Sequence, residues 1–273
     1  MTIERKESFN MEIIFLNRWE LVKNALVIFT SMIFMLFLRG KSEKKKGGLK
    51  MGSIVFLGHA AFEIETEEVK ILVDPFLTGN PLAPIKASDI EDCDLVLVTH
   101  DHGDHLGDTV DICKRTGATL VAIYDLAVRL QEQGVEKIEG MNIGGTTTIK
   151  GIKITMVKAF HSATCGSPVG FVIRVSGTSI YHAGDTQVFG DMKIIGELYK
   201  PDYALLPISG YYTMGPEEAA LATELLKPKV VVPMHYDTFP VIKQDPSRFA
   251  ELVRQRAPEV KVVILKPGER IEF

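Results

Sequence analysis

The chain has 273 residues, of which 46% are hydrophobic and 24% are charged, so it can bury a sizeable core as a globular protein. Its formal net charge of -4 at pH 7 provides no general basic field, which argues against a protein whose main role is to bind nucleic acid. Cys93, Cys113 and Cys165 are odd in number and lack C-x-x-C spacing, so neither a disulfide framework nor a thiolate zinc site is indicated. We therefore expect a cytoplasmic protein.

Residues 1–50 differ in composition from the remainder of the chain. Residues 19–38 are almost wholly apolar, close to the about twenty residues that cross a bilayer, and a lysine-rich segment follows them. By the positive-inside tendency, such an anchor would hold the downstream domain at the cytoplasmic face of the membrane. A second interpretation stays open, in which Met51 is the natural start and residues 1–50 are an over-extended reading frame. A cleavable signal peptide fits less well, because the basic cluster follows the apolar run.

Residues 51–273 alternate between strand and helix patterns and form the predicted globular domain. Apolar, β-branched runs bounded by glycine, proline and polar residues predict the strands, and helical apolar spacing with capping residues predicts the helices. In chain order, strands are predicted at 53–57, 61–65, 69–73, 94–98, 119–123, 146–150, 152–157, 171–175, 178–181, 203–206, 230–232, 261–265 and 270–273, and helices at 109–114, 126–133, 192–198, 216–226 and 245–256. Asp108 is expected to cap the first of these helices.

The order of these elements predicts an α/β (α+β) fold. Both halves of the domain mix hairpins with helices, and no short internal repeat is visible. This pattern favours two mixed β-sheets packed face to face with helices outside them, which is an αββα sandwich.

Three histidines and two aspartates lie in the segment 100–105 (HDHGDH), directly after the predicted buried strand 94–98. Histidine is scarce in this chain, with 7 in 273 residues, so three in one turn favour a metal site over a solvated loop. In an extended or tightly turned loop, the first two histidines can point the same way while Asp104 and His105 turn back. One short segment could therefore supply ligands to two neighbouring ions.

Three further polar residues each follow the end of a predicted strand: His161, Asp185 and His235. They would gather with the segment 100–105 on one edge of the sheets if the strands run in compatible directions. Either histidine alone would more simply be a core or loop residue, but together with the cluster they favour a shared site.

Other residues at strand ends have two open interpretations. Asp74 suits a carboxylate that orients a liganding imidazole, or it is a simple turn cap. His59 contacts substrate or makes a structural hydrogen bond. His182 is a packing residue at a strand end or an outer partner of the metal ligands. The loop 211–214 is a candidate lining of the pocket.

The H-x-H-x-D-H pattern of residues 100–105, followed in order by His161, Asp185 and His235, resembles the metallo-β-lactamase superfamily of αββα hydrolases over residues 51–273. Longer segments narrow the match to a little-characterised family of metal-dependent hydrolases close to the ascorbate 6-phosphate lactonases. These segments are 58–62 (GHAAF), 74–76 (DPF), 184–186 (GDT), 213–216 (TMGP) and 233–240 (PMHYDTFP). Residues 1–50 have no counterpart in this resemblance.

The resemblance implies a pair of metal ions held by seven side chains. One ion would be held by His100, His102 and His161, the second by Asp104, His105 and His235, and Asp185 would bridge them. These donors suit Zn2+, Mn2+ or Fe2+, of which we expect zinc. Two close cations lower the pKa of a shared water, which makes a hydroxide nucleophile available without Ser or Cys. Asp104 is the candidate catalytic residue, because it can also orient the nucleophile or return a proton.

The resemblance therefore implies a dinuclear metal-dependent hydrolase of an ester, lactone or phosphoester of a small metabolite. A nuclease or phosphodiesterase of the same superfamily is an alternative, disfavoured by the acidic balance and by the lack of an added RNA-binding segment. His102 stands where the flavin-linked di-iron oxidoreductases of this superfamily usually have Glu. Residues 19–38 motivate a non-enzymatic alternative, a membrane-tethered metal or metabolite sensor. We expect a small-molecule substrate, no nucleic-acid partner and a homo-oligomer.

Overall fold

The computed structural model describes residues 52–273, and the apolar segment 19–38 and the basic linker lie outside them. The described residues form two seven-stranded sheets. The first sheet has the order β14-β1-β2-β3-β4-β5-β6, with β1 (Gly52–Phe56), β2 (Phe62–Thr66), β3 (Lys70–Val73), β4 (Leu95–Leu97), β5 (Thr119–Ile123), β6 (Ile138–Met141) and β14 (Arg270–Glu272). The second has the order β13-β12-β11-β10-β9-β8-β7, with β7 (Thr146–Ile149), β8 (Ile152–Lys158), β9 (Val169–Val175), β10 (Thr178–His182), β11 (Tyr203–Pro207), β12 (Val230–Met234) and β13 (Lys261–Val262).

Each sheet combines an antiparallel half with a parallel half. In the first sheet β14, β1, β2 and β3 pair antiparallel, whereas β3 to β6 pair parallel. In the second sheet β7 to β10 pair antiparallel, whereas β10 to β13 pair parallel. The interior strand β4 is apolar and buried throughout, as expected for a parallel strand covered on both faces.

Within residues 52–273 there are six α-helices, and all but the four-residue α1 begin where apolar spacing of helical period begins. They are α1 (Gly103–Leu106), α2 (Thr109–Thr116), α3 (Tyr124–Glu132), α4 (Met192–Tyr199), α5 (Pro216–Leu226) and α6 (Pro246–Arg256). Helices α2 and α3 pack on the first sheet, while α5 packs on β11 of the second and against α4 and α6. The start of α6 shows how the sequence sets a boundary, because the Asp245 carboxylate accepts the Ser247 N–H and Pro246 occupies the first helical position.

The two sheets contact each other directly through their inner faces. The His182 ring of β10 donates a hydrogen bond from Nε2 to the Ala60 carbonyl at 2.9 Å, and it meets the Phe62 ring edge-on. The Val169 N–H donates to the Thr99 carbonyl at 3.0 Å. The predicted αββα sandwich of two mixed sheets is therefore confirmed.

Most predicted elements lie where the sequence placed them, with several differences. Strand β6 and the four-residue helix α1 were not predicted, and β13 ends at Val262 rather than at Leu265. Asp108 precedes α2 but does not cap it, because its carboxylate accepts the N–H groups of Leu77 and Thr78 instead. Among residues 52–273 no helix is long and apolar enough to cross a membrane.

Candidate metal centre

The strand directions bring all of the predicted ligands to one edge of the sandwich. Strands β1, β3 and β4 run the same way in the first sheet, as β8, β10 and β12 do in the second. Each of these strands ends just before one part of the site. The residues that follow them are His59 after β1, Asp74 after β3, residues 100–105 after β4, His161 after β8, Asp185 after β10 and His235 after β12.

The first group of donors consists of His100, His102 and His161. The Nε2 atom of His100 lies 3.0 Å from Nδ1 of His102, which lies 3.3 Å from Nε2 of His161. Two nitrogens bound to one tetrahedral zinc ion at 2.0–2.1 Å would be separated by about 3.3 Å. These two distances are close to that value, and all three ring nitrogens lie within 4.8 Å of one another.

The second group consists of Asp104, His105 and His235, with Asp185 between the two groups. Asp185 Oδ2 lies 3.2 Å from Nε2 of His235, 3.4 Å from Nε2 of His161 and 4.0 Å from Nε2 of His100. Its other oxygen, Oδ1, lies 3.2 Å from Nε2 of His105. One carboxylate thus reaches donors of both groups, which is the position that a bridging ligand would take.

Several of these donor atoms are buried without a hydrogen-bond partner among the described residues. They are His105 Nε2, Asp185 Oδ1 and His235 Nε2, each facing the space between the two groups. Buried polar atoms of native proteins are normally hydrogen-bonded, and unsatisfied ones are costly. Lone pairs of imidazole and carboxylate that converge in this way fit divalent cations, so the residues present fit the metals that the resemblance implies.

Asp74 orients two of the candidate ligands by hydrogen bonds, one directly and the other through Thr99. Its Oδ2 accepts a hydrogen bond from Nδ1 of His105 at 2.7 Å and one from the Thr99 hydroxyl at 2.6 Å. Because that hydroxyl proton goes to Asp74, the Thr99 oxygen is left to accept Nδ1–H of His100 at 3.0 Å. Both histidines are thereby held in the tautomer that presents Nε2 to the site, which is the arrangement expected around a metal ligand.

His59 holds Asp104 rather than standing free. Its Nε2 lies 3.2 Å from Oδ2 of Asp104, and its Nδ1 lies 2.8 Å from the Thr238 hydroxyl. Because an ionised carboxylate only accepts, Nε2 carries the ring proton and Nδ1 accepts from Thr238. Burial and the neighbouring His235 lower the pKa of His59 to about 4, so the ring is neutral at pH 7.

Electrostatics keep the two candidate carboxylate ligands ionised. Burial acts to raise the pKa of Asp185, but the imidazoles of His105 and His235 lower it well below its ordinary value. For Asp104, burial is likewise outweighed by the hydrogen bond from His59, which holds the pKa below its usual range. Burial and the adjacent His105 lower the pKa of His100 to about 2, which keeps its nitrogen lone pair available.

Backbone geometry at the strand ends is unusual and aims these side chains. His59, Asp74 and His235 all have left-handed φ angles, between 47° and 59°. Gly184, with φ of 60°, precedes Asp185 where a Cβ would lie 2.6 Å from the Val169 carbonyl oxygen. Only glycine fits that close approach, so the Gly-Asp pair fixes where the Asp185 carboxylate enters the site.

His182 lies outside the group of donors. Its Nε2 donates to the Ala60 carbonyl, and its Nδ1 accepts the Gly184 N–H at 3.2 Å. Both ring nitrogens are therefore used by the backbone. The ring packs against Phe62 and also bonds to the backbone beside Asp185, so both interpretations of His182 stay predictions.

Asp101 has a role that the sequence did not reveal. Its side chain is 2% exposed and accepts the N–H of Thr164 at 2.9 Å, the Thr164 hydroxyl, and the Arg129 guanidinium at 3.1 Å. These bonds tie the loop that carries His161 to the segment 100–105. The only sequence feature that could have indicated this role is the position of Asp101 between the two histidines of the H-x-H pattern. For Thr164, 63 residues away, the sequence offered none.

A cavity of about 490 Å³ opens over the donor groups. Its walls combine candidate ligands with a few residues from the surrounding loops. The lining residues are His102, Asp104, His161, Ser162, Asp185, Tyr212, His235, Phe239 and Val241. Of the loop 211–214, Tyr212 thus lines the cavity as expected, whereas Phe239 and Val241 were not predicted to do so.

The chain is similar to known proteins over the described residues. Residues 69–236 match the family described as Beta-lactamase superfamily domain. A UPF0173 metal-dependent hydrolase of Methanopyrus kandleri is 57% identical over 228 residues, which cover 80% of this chain and 99% of the relative. A second, from Caldivirga maquilingensis, is 53% identical over 221 residues, which cover 80% and 97% of the two chains.

One solved structure is similar to this chain in both fold and sequence. Igni18, described as a novel metallo hydrolase from the hyperthermophilic archaeon Ignicoccus hospitalis, superimposes with a TM-score of 0.77 at 43% sequence identity. The match covers 82% of this chain and 98% of the Igni18 chain.

Proposed function

Because the chain belongs to the UPF0173 metal-dependent hydrolases of the β-lactamase superfamily, we propose that it uses two metal ions to hydrolyse an ester, lactone or phosphoester of a small metabolite. The observation that carries this proposal is the convergence of seven donor side chains, from four separate strand ends, beside a cavity of about 490 Å³. A solvated polar loop would not leave buried donor atoms unpaired at its centre.

The donor set supports two divalent ions, and we propose Zn2+ for both. His100, His102 and His161 would hold one ion, Asp104, His105 and His235 would hold the other, and Asp185 would bridge them. Mn2+ and Fe2+ accept the same imidazole and carboxylate donors. When bound, such ions lower the pKa of a coordinated water towards neutrality and polarise the substrate's carbonyl or phosphoryl oxygen.

The chain's own residues supply orientation and a proton acceptor. Asp104 lines the cavity and is ionised, so its carboxylate can accept a hydrogen bond from the attacking water and orient it. His59 and Thr238 fix the direction of that carboxylate through their hydrogen bonds. In the reaction, the water oxygen bonds to the acyl carbon or phosphorus, the bond to the leaving oxygen breaks, and a proton passes to that oxygen.

The test combines metal counting with turnover. Tag-free protein is stripped with a chelator, reloaded with Zn2+, Mn2+ or Fe2+, and assayed by elemental analysis and with a panel of esters, lactones and phosphodiesters. We expect two metal equivalents per chain, turnover of at least one class, and loss of that turnover in His100→Ala. Arg129→Ala is the control and is expected to retain both metal equivalents, because Arg129 is half exposed and its ion pair is with Asp101 rather than with a candidate ligand.

Two results would contradict the proposal. Metal-loaded protein that turns over no compound of the panel would favour a metal or metabolite sensor instead. A stoichiometry of one ion per chain, unaffected by His161→Ala, would contradict the two-ion site.

A further inference from the structure

The cavity walls carry information about the substrate beyond the metal donors. Its lining side chains that are not candidate ligands are Ser162, Tyr212, Phe239 and Val241. Three of these four are aromatic or aliphatic. The substrate must therefore fit between a polar floor of candidate ligands and a largely apolar wall.

No lysine or arginine lines this cavity within residues 52–273. Two cations close to the segments that carry the candidate ligands are engaged elsewhere. Arg129 pairs with Asp101, and the Lys158 ammonium lies 4.1 Å from the centre of the Phe160 ring. A phosphomonoester carries a charge of about -1.5 to -2 at pH 7 and is usually held by arginine, lysine or backbone N–H groups. The described cavity wall therefore offers no cationic side chain to an anionic group.

The apolar wall is exposed at the cavity mouth. Tyr212 is 55% exposed and Val241 is 46% exposed, and both line the cavity over the candidate ligands, so a ligand in the cavity can contact them. Phe239 is half-buried, with its ring centre 5.6 Å from that of His59 and 6.4 Å from that of Phe76. Phe239 is therefore anchored, whereas Tyr212 and Val241 form an open surface that an apolar substrate group would cover.

We propose that the substrate is an uncharged carboxylic ester or lactone that carries an apolar group, and that Tyr212 and Val241 determine this specificity. The inference rests on the proposed hydrolase function. The acyl carbon would lie above the donors with the apolar group against the wall. Water adds to that carbon, the acyl C–O bond breaks, and one proton passes to the departing oxygen, so that the products are a carboxylic acid and an alcohol.

The test uses the metal-loaded full chain and a graded substrate series. The p-nitrophenyl esters of acetate, butyrate and hexanoate share a leaving group, and bis(p-nitrophenyl) phosphate is the anionic comparison. We expect kcat/KM to rise at least about tenfold from acetate to hexanoate, since one methylene in a hydrophobic pocket is worth 10-fold or more and this wall is half exposed. Each ester should also exceed the phosphodiester.

Variants at the wall sharpen the result. Tyr212→Ala and Val241→Ala should each flatten the rise with chain length at least threefold, while Tyr212→Phe, which keeps the ring, should preserve it. Both residues are exposed, so these variants are expected to fold. The same series of γ-lactones with growing alkyl chains repeats the measurement for cyclic esters.

The two proposals fail in different ways. Turnover of no substrate by metal-loaded protein would overturn the hydrolase function itself. Faster turnover of the phosphodiester, an unchanged rate along the ester series, or a chain-length dependence that survives Tyr212→Ala and Val241→Ala would overturn only the substrate assignment.

Discussion

Nδ1 of His105 lies 2.7 Å from Oδ2 of Asp74, and both side chains are completely buried. These residues are 31 positions apart: Asp74 directly follows β3, and His105 lies in α1, in the segment that follows the neighbouring parallel strand β4. The carboxylate orients His105 directly and His100 through the Thr99 hydroxyl. Asp74 therefore controls one candidate ligand in each group without being a ligand itself.

Replacing Asp74 with asparagine should weaken metal binding without unfolding the chain. Asparagine keeps the size and tolerates the φ of 47° at this position, but its neutral amide is a weaker acceptor for His105 and Thr99. We expect Zn2+ affinity to fall about 10- to 100-fold, as is typical when the outer partner of a ligand is changed. Competition with a chromophoric chelator measures this. Unchanged affinity in Asp74→Asn would show that the pair is only structural.

The loop that carries His161 should depend on Asp101. In Asp101→Ala the Thr164 N–H and hydroxyl lose their acceptor, so amide hydrogen exchange in residues 160–166 should accelerate and one metal equivalent should be lost more readily to chelator. Arg129→Ala is the control, because Arg129 is half exposed and its ion pair should contribute at most about 1 kcal/mol. Equal behaviour of the two variants would refute a role for Asp101 in holding the loop.

Gly184→Ala tests the close approach beside Asp185. The added Cβ would lie 2.6 Å from the Val169 carbonyl oxygen and 2.9 Å from Thr99 Cβ, so the backbone must shift. We expect a loss of about 3 kcal/mol or more in the free energy of unfolding, together with weaker metal binding. Gly177→Ala also has a positive φ, of 84°, but meets nothing within 4 Å, so it should cost only about 1–2 kcal/mol. Chemical denaturation of both variants measures the two changes in the free energy of unfolding. Similar losses in the two variants would contradict the steric argument.

The metal-free protein should lose stability as the pH falls from about 6.5 to 4. Burial lowers the pKa of His59 to about 4, whereas an unfolded histidine has a pKa near 6.5, so the unfolded state binds more protons in this window. His105 has a raised pKa because Asp185 and Asp74 outweigh its burial, and its contribution is already complete below pH 6.5. The contribution of His105 to stability therefore changes only at higher pH, where it decreases as the pH rises.

His59→Gln isolates the contribution of His59 to that slope. Glutamine does not titrate, so the free energy of unfolding in the presence of chelator should fall less steeply, by up to about 1.4 kcal/mol per pH unit. Denaturation at pH 4.5, 5.5 and 6.5 measures both slopes. Parallel curves for wild type and variant would contradict the lowered pKa.

Local sequence patterns predicted much of the fold because they report local physics. Alternating apolar strands, helix starts and the Gly151 hairpin depend on neighbours in the chain. Strand β6 escaped prediction because it is short, lies at the sheet edge and contains Gly140, where a Cβ would lie 3.0 Å from the Tyr124 ring. The glycine weakens the strand signal but allows α3 to pack closely.

Of the expectations that came from the motifs, some are confirmed and others stay predictions. The superfamily and the family of metal-dependent hydrolases are confirmed, while closeness to the ascorbate 6-phosphate lactonases stays a prediction. The kinds of donor were evident from His100 to His105. The residues that hydrogen-bond to His59 and Asp101 were not evident, because nothing in the sequence around Thr238 or Thr164 indicates these contacts.

The sequence by itself determined the donor chemistry, the strand that precedes each donor and the family to which the chain belongs. The tertiary structure decided which ring nitrogen each histidine presents, that His182 faces the backbone, and that the cavity wall is apolar and free of lysine and arginine within residues 52–273. The physical reason is that chain patterns encode burial and local geometry, whereas contacts across two packed sheets depend on strand direction and register, which no single segment contains.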